Sequence, residues 1–183
     1  SYISDFDRLQ FLIDNTDENA IINLTNDYNY LTGDIDLIDG IRIDKNLTIN
    51  GNFFTIDAGK SSAIFNLTSN KVIFFKNINL VNSNGSAIYS EDSKIIVENS
   101  NFTNNTGWNG GAICNSYETI IINSKFTNNT AHAPEGNYGY SRGGAVFGGN
   151  AYILGCNFIS NHALARTLMR QTLPTAPTTT LAL

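Results

Sequence analysis

Asn101-Phe102-Thr103-Asn104-Asn105-Thr106-Gly107-Trp108-Asn109-Gly110-Gly111-Ala112-Ile113 holds the two phrases that decide the fold. One is Phe-x-x-Asn, the other Gly-Gly-Ala-aliphatic, and both recur. The first returns as Phe126-Thr127-Asn128-Asn129 and Phe158-Ile159-Ser160-Asn161, with Leu80-Val81-Asn82-Ser83 as a weaker early copy. The second returns as Gly143-Gly144-Ala145-Val146 and stands earlier as Gly85-Ser86-Ala87-Ile88. Leu80 to Phe102 is 22 residues, Phe102 to Phe126 is 24, and Phe126 to Phe158 is 32. The surplus in the last interval matches Ala133 to Tyr140, a stretch with the Gly, Pro and Tyr of a surface loop. A repeat of this length is too short for two packed helices and suits one turn of a β-solenoid.

Short β-branched and aromatic runs lie between the phrases: Val72 to Phe75, Ile95 to Val97, Thr119 to Ile122 and Tyr152 to Leu154. Turn formers flank each, as expected of solenoid strands. Aligned on the repeat, Phe75, Val97, Ile121 and Ile153 form one column, and Leu80, Phe102, Phe126 and Phe158 form another. Parallel strands stack about 4.8 Å apart, so each column becomes an apolar stripe inside the tube. Asn77, Asn99 and Asn123 share a column, with Gly155 in the last copy; Asn105, Asn129 and Asn161 share a second. Stacked amides can donate to one neighbour and accept from the other, which predicts two ladders at inward bends; the alternative is that Asn simply favours turns. Phe74, Ile96, Ile120 and Tyr152 then point outward, which requires a covering loop, a partner or a different register.

Composition agrees with a solenoid. Charged residues are 15% of the chain, against about 25% in ordinary soluble domains. Asparagine fills the gap with 27 residues, a neutral polar side chain suited to turns and backbone groups. The net charge of −5, without any basic run, argues against nucleic acid. No apolar stretch approaches 18 residues, so no membrane-inserted segment is expected. The chain opens on Ser1 rather than Met, as a processed or excised segment would. Cys114 and Cys156 fall at different positions of the repeat and read as small buried side chains rather than a bridge.

At the N-terminal end Ser4 can cap a helix, Asp5 and Asp7 suit its positive end, and Phe6, Leu9, Leu12 and Ile13 form one face. Such a helix would close the open end of a solenoid. The expected organisation is one all-β domain over 1–165, with a capping helix at 4–15, coils at 20–165, a loop insertion near 133–141, and an irregular tail at 166–183. After Asn161 asparagine stops, and the next Gly-Gly-Ala phrase never arrives. That tail reads as a linker, a poor cap or a frameshifted reading of further repeats.

The paired phrases are similar to the repeats of chlamydial polymorphic outer-membrane proteins. The wider style resembles adhesin-like surface proteins of methanogenic archaea, through Lys45-Asn46-Leu47-Thr48-Ile49-Asn50-Gly51, Thr55-Ile56-Asp57 and Asn101-Phe102-Thr103-Asn104-Asn105-Thr106. The resemblance covers roughly Ile41 to Asn161. It implies a pectate-lyase-like right-handed parallel β-helix, extracellular or at the cell surface, with an adhesive role. The first repeat departs, with Ser86 for the second Gly and Ser83 for Asn.

The same superfamily includes polysaccharide lyases and hydrolases, so each candidate for chemistry needs weighing. Glycosidic hydrolysis needs two carboxylates at a defined separation. Asn15-Thr16-Asp17 spells a motif of polygalacturonase-type hydrolases, but neither an Asp-Asp pair nor Gly-His-Gly follows, and it falls at the end of the predicted helix. Lyase chemistry wants a basic residue beside acidic calcium ligands. Arg142 and Glu135 read instead as paired surface charge, and Asp34, Asp36 and Asp39 as solvated turns. His132 and His162 lack the partners a zinc site needs. Asn23, Asn46, Asn66, Asn101, Asn104 and Asn128 open Asn-x-Ser/Thr triplets, with modification expected only on exposed loops. Trp108, Tyr138 and Tyr140 are the candidates for recognition, by stacking on sugars or packing on protein; packing onto the outer apolar row is the alternative. The expectation is a non-catalytic, adhesin-like or structural surface module, a fragment of a larger exported protein, without metal or cofactor. Its partners would be glycans or surface proteins of another cell. A polysaccharide-binding module, or a lyase or hydrolase on the same fold, is the alternative.

Overall fold

The computed structural model describes residues 3–68, 70–133 and 140–164. One helix, α1 (Asp5–Asp14), precedes the strands. Ser4 caps it by accepting from the Asp7 N–H at 3.1 Å. Phe6, Leu9 and Ile13 are fully buried, while Leu12, expected on the same face, is 40% exposed. The buried stripe closes the first coil.

All strand pairs among the described residues are parallel, and the chain forms a β-solenoid. Its first face carries β1 (Ile21–Asn23), β4 (Leu47–Asn50), β7 (Val72–Lys76), β10 (Lys94–Glu98) and the second halves of β13 (Ile113–Ile122) and β16 (Val146–Leu154). A second face stacks β2 (Tyr28–Asn29), β5 (Thr55–Asp57), β8 (Asn79–Val81), β11 (Asn101–Thr103), β14 (Lys125–Thr127) and β17 (Asn157–Ile159). A third is short: β12 (Thr106–Gly107), β15 (Thr130–His132) and β18 (His162–Leu164). The fourth runs β3 (Ile41–Ile43), β6 (Phe65–Leu67), β9 (Ile88–Ser90) and the first halves of β13 and β16. β13 turns the corner between fourth and first faces, where the register slips between Asn115 and Glu118.

The columns follow the register. Tyr28, Ile56, Leu80, Phe102, Phe126 and Phe158 lie one above another. Phe102 and Phe126 stack with centroids 4.7 Å apart and planes 4° from parallel; Phe126 and Phe158 repeat this at 4.9 Å and 5°. The rung spacing itself imposes this geometry. Phe158 and Ile153 keep the inward register but lie in the last described coil, where they are 45% and 46% exposed. Phe75, Val97 and Ile121 are fully buried, so the half-buried Phe74, Ile96 and Ile120 do face outward. The register is sound, and the outer row is a partly exposed apolar ridge.

The two asparagine columns differ in kind. Asn105 Nδ2 donates to Asn129 Oδ1 at 3.0 Å, and Asn129 Nδ2 to Asn161 Oδ1 at 2.9 Å. The same amides donate to the carbonyls of Leu80 and Phe102, one coil back, while Asn161 Nδ2 reaches that of Phe126. Each Oδ1 also accepts the preceding coil's N–H: Ser83 on Asn105, Asn105 on Asn129, and Asn129 on Asn161. Asn77, Asn99 and Asn123 make no such ladder. They hold φ of 49–52°, with Gly155 at 64°, and serve as left-handed turns; Asn77 Nδ2 donates to Asn50 instead. A hydroxyl column absent from the sequence reading stands beside them. Ser100 Oγ accepts the Ile78 N–H, Ser124 Oγ the Ser100 N–H, and Cys156 Sγ the Ser124 N–H.

Ser83 begins the amide ladder without an amide. Its hydroxyl is buried and unpartnered, whereas its N–H is already satisfied by Asn105. Ser83→Asn is expected to add one rung, donating to Asn105 Oδ1, and to raise the unfolding free energy by about 1 kcal/mol. Urea denaturation checks this; a loss of stability would mean the corner has no room for the longer side chain.

Candidate functional site

The fourth face carries a concavity that follows the solenoid axis. Its inward residues are apolar in the early coils, Ile41 and Ile43, then Phe65 and Leu67; the intervening residues form an outward column. That column is Arg42, Asn66, Tyr89, Cys114 and Phe147, in register across five coils. Four steps of about 4.8 Å make a floor about 19 Å long, parallel to the solenoid axis. A cavity of about 520 Å³ lies over Asn66, Tyr89, Cys114 and Phe147, and a second of about 290 Å³ continues it past Arg42. The two share Asp39 and Asn66, so they form one groove.

One wall is built by unequal corners. Gly85 follows Ser83 by two positions, but Gly110 follows Asn105 by five. The extra residues are Gly107, Trp108 and Asn109, and they push the indole out of the stack to 49% exposure. Gly107 is required there, since a Cβ would collide with Ser86 Oγ and come within 2.8 Å of the Gly110 carbonyl oxygen. Gly110 closes the turn at φ 62°, a left-handed conformation, with the Ile113 carbonyl oxygen where a Cβ would sit. Two hydrogen bonds fix the corner: Ser86 Oγ donates to the Gly110 carbonyl at 2.7 Å, and the Arg142 N–H to Asn109 Oδ1 at 3.1 Å. A further cavity of about 380 Å³ flanks Trp108, lined also by Thr106 and His132. The indole therefore stands between two concavities.

Over Tyr89 and Cys114 the groove is lined mostly by uncharged side chains. Asn66 and Asn84 line it, and among the described residues their side-chain amides have no protein partner. Tyr89 OH donates to Glu91 Oε1 at 3.2 Å; burial, then that bond, hold its pKa above the ordinary phenol value. Cys114 is a free thiol between Tyr89 and Phe147, pushed up to about 11 by burial. At pH 8 roughly one Cys114 in a thousand is thiolate. Iodoacetamide should therefore leave Cys114 largely unlabelled in the folded protein at pH 8, and label it fully once urea unfolds the chain. Mass spectrometry of the digests reads both; rapid labelling of the native thiol would contradict this placement.

The other sequence candidates fall elsewhere. Tyr140 is 81% exposed and outside the groove; Tyr138 and Glu135 lie outside the described residues, as does the tail 166–183. Asn15 and Thr16 finish α1, their side chains donating to the Phe11 and Leu12 carbonyls. Asp34 is buried and accepts the Leu31 N–H at 2.8 Å, which makes it a turn lock, while Asp36 and Asp39 border the groove. Among the described residues no three His, Cys, Asp or Glu side chains cluster to hold a metal ion. Among the triplet asparagines, Asn23, Asn101 and Asn128 are exposed; Asn46, Asn66 and Asn104 are half-buried. Asn84-Gly85-Ser86 is a further triplet, on the groove rim.

Tyr89 and Phe147 were not singled out from the sequence, although a signal exists. Each follows directly the aliphatic residue of its Gly-Gly-Ala phrase, as Cys114 does. Aligning those phrases one residue further displays the floor. No family model, curated protein or solved structure matches the chain.

Proposed function

We propose that this chain is a non-catalytic adhesive module of an exported, surface-displayed protein, and that it binds through the axial groove of its fourth face. The observation that carries this reading is the joint construction of the groove: an in-register outward column as floor and the corner insertion bearing Trp108 as wall. A solenoid supplies such a surface cheaply in sequence, because one position per coil repeats along the axis. Exposed aromatic side chains on a rigid scaffold suit recognition. The resemblance of the Gly-Gly-Ala and Phe-x-x-Asn phrases to surface-protein repeats supports display outside the cell.

The test is adhesion of the purified chain to immobilised whole cells and to a glycan array, beside turnover assays on pectins, alginates and host glycans. Retention without release of reducing ends or unsaturated products is expected. Product release that vanishes when one carboxylate is substituted would overturn the non-catalytic reading, in favour of a polysaccharide-active enzyme.

A further inference from the structure

We infer that the groove takes an uncharged glycan chain, with one sugar ring seated over Cys114 against the face of Trp108. This rests on the reading of the chain as a binding module and names the ligand of that same site.

The floor dictates a ring-sized depression. Tyr89 and Phe147 rise from coils two steps apart, about 10 Å, and between them the column drops to the short side chain of Cys114, which is only 8% exposed. A flat ring fits between two such ridges where a branched aliphatic side chain would have filled the gap. Trp108 borders the depression from the wall and leaves half of its surface open. Stacking on an indole suits the C–H face of a sugar. The edge of the ring needs hydrogen-bond partners that both donate and accept, and the amides of Asn66 and Asn84 do both.

Charge selects among glycans. Among the described residues, Asp39 is the only Asp or Glu lining the larger cavity, and no Lys, Arg or His lines it. Over Cys114 a uronate, sulfate or sialic acid would leave water to meet the Asp39 carboxylate, while the cation of the floor, Arg42, stands three rungs or about 14 Å away in the smaller cavity. Hydroxyl or acetamido groups would instead donate to Asp39 and bond to the amides. An extended peptide has no strand edge to join over Asn66, Tyr89 and Cys114, because β6, β9 and β13 already pair with neighbours on both sides.

Trp108 is the sole tryptophan of the chain, so its emission reports the site directly. Purified protein is titrated with cello-, manno- and chito-oligosaccharides, with oligogalacturonate as the anionic arm. A blue-shifted, saturable change with at least one neutral series, and none with oligogalacturonate, is expected. Calorimetry then follows Trp108→Ala, which should weaken that binding at least tenfold, and Cys114→Leu, which should fill the depression and do the same. Tyr140→Ala should leave affinity unchanged. Circular dichroism confirms that each variant is folded; if Cys114→Leu fails to fold, Trp108→Ala, at an exposed wall residue, still decides. Preferential binding of oligogalacturonate, or neutral binding indifferent to Trp108, would overturn the inference. Cell adhesion by the unaltered chain without binding of any neutral series would overturn it while leaving the adhesive reading intact. Release of products would instead defeat the non-catalytic reading.

Discussion

Asn129→Asp is expected to cost about 4 kcal/mol of folding free energy at neutral pH, although it changes one side-chain atom. Asn129 is fully buried and its side chain makes four hydrogen bonds at the centre of the ladder. Its Oδ1 accepts from Asn105 and an aspartate would preserve that half. Its Nδ2 donates to the Phe102 carbonyl and to Asn161 Oδ1, and a carboxylate would turn both contacts into acceptor facing acceptor. Burial raises the pKa of the introduced carboxyl above its unfolded value. Linkage then fixes the sign: the variant binds its proton more tightly when folded, so the loss is smallest below the unfolded pKa and grows as pH rises through the folded one. Urea denaturation at pH 4 and pH 7 reads both the loss and its slope. A variant as stable as the parent at pH 7 would mean that the site is wet.

Phe126→Ala is the second large effect, again about 4 kcal/mol. The ring is fully buried and stacked on both sides, against Phe102 and Phe158. Neighbouring rungs are hydrogen-bonded at Lys125, Phe126 and Thr127 on both edges, so the backbone cannot close over the cavity. Phe102→Ala should cost a similar amount, because Phe102 too is fully buried and stacked. Phe158→Ala should cost less, since Phe158 is 45% exposed. Guanidinium denaturation of the three variants gives the order, and an equal cost at Phe158 would contradict the placement of the coils.

The spacing of the Phe and Gly-Gly-Ala phrases is enough to align every coil from Leu80 onward, because a parallel stack places like residues over like. What the spacing cannot separate is the role of asparagine. Asn105 and Asn123 belong to the same residue type and both keep register, yet one side chain spans coils and the other supports a left-handed turn. Amide ladders and positive φ draw on the same residue, so composition is silent between them. The column of Ser100, Ser124 and Cys156 was hidden for a related reason: a hydroxyl or thiol beside a strand carries no pattern of its own. Trp108 could be found by residue type. The groove could not, since its wall depends on corner lengths that differ from coil to coil.

The stacked amides are tested most directly by a pair of double-mutant cycles. Asn105→Ala and Asn129→Ala, alone and combined, should show a coupling of about 1 kcal/mol or more, because each change removes the other's partner. Asn99→Ala and Asn123→Ala, in the neighbouring column, should add to within about 0.5 kcal/mol. Additive losses at Asn105 and Asn129, or equal coupling in both columns, would contradict a hydrogen-bonded ladder running along the axis.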